Sequence, residues 1–239
     1  MRLDRFLSMR GIDSRKSIKK VIRDGRVQVD GKTVYDFAMS IDGNSVVVMD
    51  GVQIQNEPYV TLMMNKPEGY MCSMKDEHYP SVMNLVPENY RKRVRMVGRL
   101  DNDTTGLLLL TDNGVLNARL ASPKHGIPKT YHVEVNHILK PELEEAVKYP
   151  IDIGKGEVAH VDSLTILDEY HATITVHEGK YHEIKRIFGK FSYDVIRLER
   201  IAFGPLSLGG LSLGTCRLLT REEYFSLLAS VRLRQEDLL

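Results

Sequence analysis

The first apolar positions of the chain recur at the spacing of an α-helix. Leu3, Phe6, Leu7 and Met9 fall near one side of a helical projection, and Gly11 follows where a C-terminal cap is expected. Polar residues separate these positions, as on a helix with one buried side. The pattern therefore predicts a short helix that ends near residue 11.

A second helix and a hairpin are predicted directly afterwards. Ser14 is placed to cap the N-terminus of this helix, and Gly25 is placed to end it. Residues 26–34 then alternate between apolar and polar, with Asp30 and Gly31 at a tight turn. The apolar positions of the helix share one side: Ile18, Val21 and Ile22. Two helices and a hairpin thus predict a small N-terminal module.

From residue 59 onward, strand-like and helix-like patterns alternate in a mixed order. Strands are predicted at residues 59–65, 94–100, 106–111, 130–135 and 195–203, with two or three more within 157–176 and one within 207–219. Helices are predicted at residues 112–122, 141–149, 181–191 and 220–233. This order predicts an α+β fold with a large, mostly antiparallel mixed sheet and flanking helices. A linker near residues 55–60 divides the chain into domains at 1–56 and 59–239.

Composition restricts the class of protein. The chain has 239 residues, and no apolar run approaches the length of a membrane span. Its N-terminus is charged and has no apolar core of a signal peptide. Cys72 and Cys216 lie far apart without a CxxC motif, which is typical of reduced thiols. These features predict a cytoplasmic protein that does not bind a membrane.

The N-terminal module carries most of the positive charge. Residues 1–35 have a net charge of about +6, whereas the remainder is slightly acidic. A solvated helix surface and a contact with a polyanion both explain such a patch. Residues 1–50 resemble the S4-type RNA-binding module, which combines two helices, a basic surface and a hairpin. The resemblance implies RNA contacts from the basic residues: Arg5, Arg15, Lys16, Lys19, Lys20, Arg23 and Arg26.

One polar turn stands out between two apolar runs. Arg99, Asp101, Asn102 and Asp103 directly precede the leucine-rich segment 104–111. A turn aspartate that accepts backbone N–H groups would explain the carboxylate structurally. A positioned nucleophile or metal ligand would explain it functionally. The common phosphate-loop, HExxH and GxSxG motifs are absent from the sequence, so they do not decide between these interpretations.

The segment GRLDNDTTGLLLLT, residues 98–111, resembles the central motif of pseudouridine synthases. Further matches to that family follow at residues 65–73, 122–135, 178–189 and 195–220. The resemblance implies an enzyme that isomerises uridine to pseudouridine in ribosomal RNA, most similar to the small-subunit (16S) branch. It also implies a monomer that acts on 16S rRNA or an assembling small subunit. No cofactor and no metal are expected, because the reaction neither adds nor removes atoms.

The same resemblance assigns roles to residues. Asp101 is expected to be the nucleophile, and Tyr131 to stack on the flipped uracil and contact it through its hydroxyl. Lys185 matches the basic position of the family and is expected to pair with Asp101, with Arg186 as the competing candidate. For substrate binding, Leu198 is expected to pack against the base, and Arg99 to fill the gap that the extracted base leaves.

Three alternatives remain open at the level of sequence. The substrate could be large-subunit (23S) rRNA, since enzymes for both subunits share the motifs. The protein could bind RNA or assist ribosome assembly without catalysis. A Mg²⁺-dependent RNA hydrolase could instead use Asp101, Asp103 and Asp112.

Overall fold

The computed structural model describes residues 2–9, 15–42, 45–54 and 59–234. Its first part contains two helices and a four-stranded sheet in the order β2-β1-β3-β4. The elements are α1 (Leu3–Met9), α2 (Arg15–Arg23), β1 (Val27–Val29), β2 (Lys32–Thr33), β3 (Val47–Met49) and β4 (Val52–Ile54). Both predicted helices and the hairpin are confirmed, whereas β3 and β4 were not predicted. The predicted caps Gly11 and Ser14 lie outside the described residues.

The hairpin turn follows from its two central residues. Asp30 and Gly31 have φ values of 50° and 77°, the left-handed conformation that a tight two-residue turn requires. The strands that it joins place Val27 and Val29 against the helices, where they meet Leu3 and Ile22 in a separate small core. The module therefore has its own hydrophobic core.

The second part contains five helices, eleven strands and two short 3₁₀ turns within residues 59–234. The helices are α3 (Glu88–Arg91), α4 (Gly114–Ala121), α5 (Glu142–Ala146), α6 (Glu183–Lys190) and α7 (Arg221–Ser230). The strands are β5 (Thr61–Lys66), β6 (Arg95–Val97), β7 (Thr104–Thr111), β8 (Lys129–Val135), β9 (Ile151–Asp152), β10 (Val158–Ala159), β11 (Ser163–Ile166), β12 (His171–Val176), β13 (Val195–Phe203), β14 (Leu206–Ser207) and β15 (Cys216–Leu218). All the longer predicted elements are present.

Nine of these strands form one sheet. Its main order is β11-β12-β8-β13-β7-β5-β15, with β14 paired to β13 and β6 paired to β7. The pairing of β13 with β7 is parallel, and the other pairings in the sheet are antiparallel. The prediction of an α+β fold with a mostly antiparallel mixed sheet is confirmed.

Strand β7 explains the leucine run. Leu108 and Leu110 belong to the core on one face of the sheet, and Leu107 and Leu109 belong to the core on the other. All four side chains are fully buried. A strand covered on both faces favours apolar residues at every position rather than at alternate ones. The polar turn before β7 is therefore held at the end of a rigid central strand.

Two helices show how local sequence fixes an element. Thr220 and Glu223 form a capping box at the start of α7. Helix α6 packs Ile184, Ile187 and Phe188 into the core, as its spacing predicted. Within the described residues, no helix has the length and apolarity needed to cross a membrane.

Candidate active site

A pocket of about 500 Å³ opens beside the polar turn. Its walls come from the turn between β6 and β7, from β8 and β13, and from the N-terminal half of α6. All five residues that the sequence predicted for catalysis or substrate binding line it: Arg99, Asp101, Tyr131, Lys185 and Leu198. Folding thus brings together residues that are widely separated along the chain.

Lys66 holds the turn that carries Asp101. Its Nζ donates to the backbone carbonyl oxygens of Asp101 at 2.9 Å, Asn102 at 3.3 Å and Thr104 at 2.8 Å. A fourth bond reaches the Pro67 carbonyl at 3.1 Å. The Lys66 side chain is fully buried, and this burial lowers its pKa. Sequence reasoning missed this residue, although a lysine at the end of an apolar strand was a visible signal.

Gly106 lets β13 approach β7. Its φ is +100°, and a Cβ atom there would lie 2.3 Å from the Arg200 carbonyl oxygen. The absence of a side chain at Gly106 allows the parallel pairing that places Leu198 beside Thr104 and Arg200 beside Gly106. Leu198 therefore lies next to the end of the turn that carries Asp101.

The side chain found beside the Asp101 carboxylate is not the predicted lysine. Lys185 Nζ lies 2.6 Å from Asp103 Oδ2, and His182 Nε2 lies 3.6 Å from Asp101 Oδ2. The expected pairing of Lys185 with Asp101 is therefore wrong, although both residues line the pocket. The turn offers two carboxylates close together, and the lysine on α6 reaches the more exposed one. Spacing alone could not choose between them.

Arg186, the competing basic candidate, is bound elsewhere. It donates to Glu157 Oε2 at 2.6 Å and to the carbonyl oxygens of Ile153 at 2.9 Å and Gly154 at 2.8 Å. These bonds hold the loop before β10 against α6. Of the two neighbouring cations, Lys185 is the one that lines the pocket.

His182 occupies an unusual backbone conformation. Its φ of 50° and ψ of 36° lie in the left-handed region, at the N-cap of α6. Its ring stacks on Tyr181 with a centroid distance of 3.8 Å. Strained residues of this kind cluster at functional sites. Sequence reasoning missed His182, because no pattern in the sequence places it beside Asp101.

Tyr131 and Leu198 form the apolar wall. Tyr131 lies on β8 directly opposite Arg200 of β13, and Leu198 lies two positions before Arg200. Both Tyr131 and Leu198 are buried, with 9% and 6% of their surface exposed. Alternation along β13 therefore puts Leu198 and Arg200 on the same face as Tyr131. Arg99, by contrast, is exposed at the rim of the pocket.

The lining of the pocket also contains charged groups. Lys129 donates to the carbonyl oxygens of Glu178 at 2.7 Å and Ile127 at 3.1 Å, and burial, assisted by Arg200, lowers its pKa to about 8. Burial raises the pKa of Glu183 to about 7, and the neighbouring Glu178 adds to the effect. Perturbed groups of this kind in a cleft are typical of functional sites.

The carboxylates of the hydrolase alternative are not gathered at one point. Asp112 lies just beyond the far end of β7, where its Oδ2 is 2.6 Å from Arg93 Nη2 and its Oδ1 accepts from Val60 N at 2.8 Å. Asp103 is paired with Lys185. Over the described ranges, no group of three or more His, Cys, Asp or Glu side chains is arranged to hold a metal ion. A Mg²⁺ site built from Asp101, Asp103 and Asp112 is therefore not supported.

The basic residues of the N-terminal module differ in their surroundings. Lys16, Lys20 and Arg23 are exposed on α2. Lys19 Nζ and the Arg23 guanidinium lie 4.8 and 5.1 Å from the centroid of the Phe37 ring. Arg26 forms two hydrogen bonds with Asp50, at 2.8 and 2.6 Å, and so is already paired. Arg5 is half-buried, and the side chain of Arg15 lies outside the described residues.

Comparisons with known proteins match both parts of the chain. A family model for the S4 domain matches residues 1–47, and one for RNA pseudouridylate synthase matches residues 60–190. The chain is 34% identical over 230 residues to ribosomal small subunit pseudouridine synthase A of Escherichia coli (strain K12), covering 95% of this chain and 99% of that protein. It is 32% identical over 227 residues to ribosomal large subunit pseudouridine synthase B of Bacillus subtilis (strain 168), covering 93% of each.

The fold agrees with these matches. A solved crystal structure of a pseudouridylate synthase superposes with a TM-score of 0.68 and 32% sequence identity. The superposition covers 95% of this chain and 99% of that one. Both the small N-terminal module and the large sheet therefore have a counterpart in a single known structure.

Proposed function

The chain belongs to the RNA pseudouridylate synthase family, and we propose that it isomerises one uridine of 16S ribosomal RNA to pseudouridine. The observation that carries this proposal is the pocket, whose lining brings the Asp101 carboxylate together with Tyr131, Lys185 and Leu198. The carboxylate stands at the end of a buried central strand, where Lys66 fixes its backbone. Such rigidity is what a positioned catalytic group requires.

The reaction needs no external reagent. The bond between uracil N1 and ribose C1′ breaks, the base turns, and a bond between C5 and C1′ forms. Asp101 starts the reaction as the nucleophile, and its bond to the substrate breaks again before the product is released. The C5 proton is lost at the end, while N1 gains one. Uridine and pseudouridine therefore contain the same atoms, so no cofactor is required.

The other residues hold the base. The glycosidic bond is inaccessible in stacked RNA, so the uridine must be flipped out at a cost of a few kcal/mol. Tyr131 and Leu198 provide the apolar wall against which the flipped uracil stacks. Lys185, bound to Asp103, places an ammonium group beside the turn, and His182 Nε2 lies 3.6 Å from the Asp101 carboxylate. Arg99 lines the pocket, and on this proposal it enters the space that the base has left.

The exposed cations of α2 are proposed to bind the RNA backbone. Phosphate contacts by Lys and Arg supply affinity that does not depend on sequence. This affinity offsets the cost of extracting the base. The protein acts as a monomer in the cytoplasm on this proposal, with ribosomal RNA or an assembling small subunit as its partner.

A tritium-release assay tests the proposal. Pseudouridine formation releases tritium from uridine labelled at C5, and mapping of pseudouridines in cells with and without the gene identifies the site. We expect release from 16S rRNA with the normal protein and none with Asp101→Asn. Asp168→Asn, an exposed aspartate between β11 and β12, is the matched control and should retain activity. Absence of release from any rRNA would overturn the proposal and leave an RNA-binding protein.

Large-subunit rRNA is the second candidate substrate. It is favoured by the relative from Bacillus subtilis, which is named for the large subunit and is 32% identical to this chain. The mapping experiment separates the two, because a lost pseudouridine in 23S rather than 16S rRNA would assign the other target.

A further inference from the structure

Two ionisable side chains at the pocket each keep one buried polar atom without a hydrogen-bond partner within the described part of the chain. The atoms are Oε1 of Glu183 and Nη2 of Arg200. The two residues are 5% and 2% exposed, and both line the pocket. A buried polar atom without a partner is unfavourable, so native structures seldom leave one without a reason. An acceptor and a donor left unpaired at the same pocket indicate a ligand that offers the complementary donor and acceptor.

Arg200 is held at the pocket by two contacts. Its Nε donates to the Leu107 carbonyl at 2.7 Å, and its guanidinium lies 5.2 Å from the centroid of the Phe203 ring. Tyr131 lies directly opposite Arg200 on the neighbouring strand β8. The guanidinium therefore stands on the face of the sheet that Tyr131 and Leu198 share, where the flipped base is proposed to lie.

Glu183 comes to the pocket from a different element. It is the first residue of α6 and directly follows His182, whose ring lies 3.6 Å from the Asp101 carboxylate. Burial and Glu178 raise its pKa to about 7, which reflects a carboxyl group held among apolar and acidic neighbours. The carboxyl group shares a side-chain hydrogen bond with Glu178, and a protonated carboxyl that donates in such a bond keeps its carbonyl oxygen as an acceptor.

We propose, on the basis of the proposed function, that Arg200 and Glu183 bind the Watson–Crick edge of the flipped uracil. Glu183 Oε1 accepts the N3–H of the base, and Arg200 Nη2 donates to a carbonyl oxygen next to N3. Uracil presents acceptor, donor and acceptor along this edge. Cytosine presents an acceptor at N3, which would face the carboxylate, so the same pair selects uracil.

The pair also suits the rotation that the reaction requires. Turning uracil by half a turn about the axis through N3 and C6 exchanges N1 with C5 and O2 with O4. The N3–H stays in place, and a carbonyl oxygen again lies beside it. Arg200 and Glu183 can therefore hold the base in the same way before the N1–C1′ bond breaks and after the C5–C1′ bond forms. Neither residue takes part in bond making, so both are binding residues.

The test combines a variant with a modified substrate. The full-length protein is assayed on an rRNA fragment that carries the mapped target as uridine or as N3-methyluridine, which lacks the N3–H. We expect the methyl group to lower kcat/KM of the normal protein on the order of 10- to 100-fold. We expect Glu183→Ala to show a similar loss on ordinary uridine but only about a threefold further loss on N3-methyluridine, since both changes remove the same hydrogen bond. Glu183→Gln retains an acceptor oxygen and should recover most of the activity on uridine.

Each outcome is decisive. If N3-methylation lowers kcat/KM as much in Glu183→Ala as in the normal protein, Glu183 does not contact N3 and the inference is overturned. Glu145→Gln changes an exposed glutamate on α5, and N3-methylation should lower its kcat/KM as much as it does in the normal protein. If the normal protein does not convert ordinary uridine in any rRNA, the proposed function itself fails, which is a different result.

Discussion

At the scale of the residue, Lys66 supports the site without lining the pocket. Four backbone carbonyl oxygens, three of them in the turn of Asp101, Asn102 and Thr104, accept from its Nζ. Lys66→Met would leave these acceptors without their donor in a buried place. We expect it to lower the free energy of unfolding by about 2–4 kcal/mol and to reduce kcat more than it raises KM.

Urea unfolding and steady-state kinetics check this expectation. Lys92→Met changes an exposed lysine and should alter stability by no more than about 0.5 kcal/mol. Normal turnover in the Lys66 variant would show that the lysine does not position Asp101.

The raised pKa of Glu183 predicts that the stability of the protein depends on pH. Its pKa is raised to about 7 in the folded protein, whereas an unfolded glutamate titrates near the ordinary value of 4.5. Between these values the folded state binds the extra proton, so stability falls as the pH rises from 5 to 8. Glu183→Gln removes this loss. The difference in free energy of unfolding between Glu183→Gln and the normal protein should increase by about 1–3 kcal/mol from pH 5 to pH 8. Water that enters the pocket keeps this increase below the value for a fully buried group.

Urea unfolding at both pH values measures the difference. The exposed Glu145→Gln variant serves as the control and should follow the normal protein at each pH. A constant offset between Glu183→Gln and the normal protein would contradict the shifted titration.

At the scale of the element, the parallel pairing of β7 with β13 depends on Gly106. Gly106→Ala would place a Cβ atom 2.3 Å from the Arg200 carbonyl, at a φ of +100° that alanine rarely adopts. The two strands would have to separate, and Leu198 and Arg200 would move away from Asp101. We expect a loss of about 3 kcal/mol or more in stability, together with a loss of activity.

Gly114→Ala is the matched control for this prediction. Gly114 begins α4, and a Cβ atom there would meet no other atom within 4 Å. This variant should be neutral or slightly more stable in thermal unfolding. Equal effects of the two substitutions would show that the close approach of β13 does not matter.

At the scale of the whole molecule, the N-terminal module and the catalytic pocket are proposed to share the work of binding RNA. Neutralising Lys16, Lys20 and Arg23 in the full chain removes three exposed cations of α2. We expect weaker binding of an rRNA fragment and a decrease of about 2 in the slope of log Kd against log salt, with kcat at saturating RNA nearly unchanged.

Binding titrations at several salt concentrations test this division. Three exposed lysines of the larger domain, changed in the same way, provide the control: Lys75, Lys92 and Lys140. If the control variant shows the same change in slope, α2 is not the preferred surface for RNA. If kcat falls with the α2 variant, the module does more than hold the RNA.

The sequence by itself predicted most of the elements and five of the residues that line the pocket. Local periodicity identified α1, α2 and α6, because a helix with one buried side repeats apolar residues at helical spacing within a few turns. The unbroken leucines of β7 indicated a strand covered on both faces. Motif resemblance named Asp101, Tyr131 and Leu198, and all three line one pocket.

Only the tertiary structure decided which charged groups meet. Lys185 pairs with Asp103, and His182 approaches Asp101. Lys66 reaches the turn from β5, and Glu183 and Arg200 come to the pocket from different elements. The physical reason is that these contacts depend on the long-range pairing of β5, β7 and β13, which sets the distances between side chains. A pattern of polar and apolar residues indicates which positions are buried. It does not indicate which group a buried charged side chain will contact.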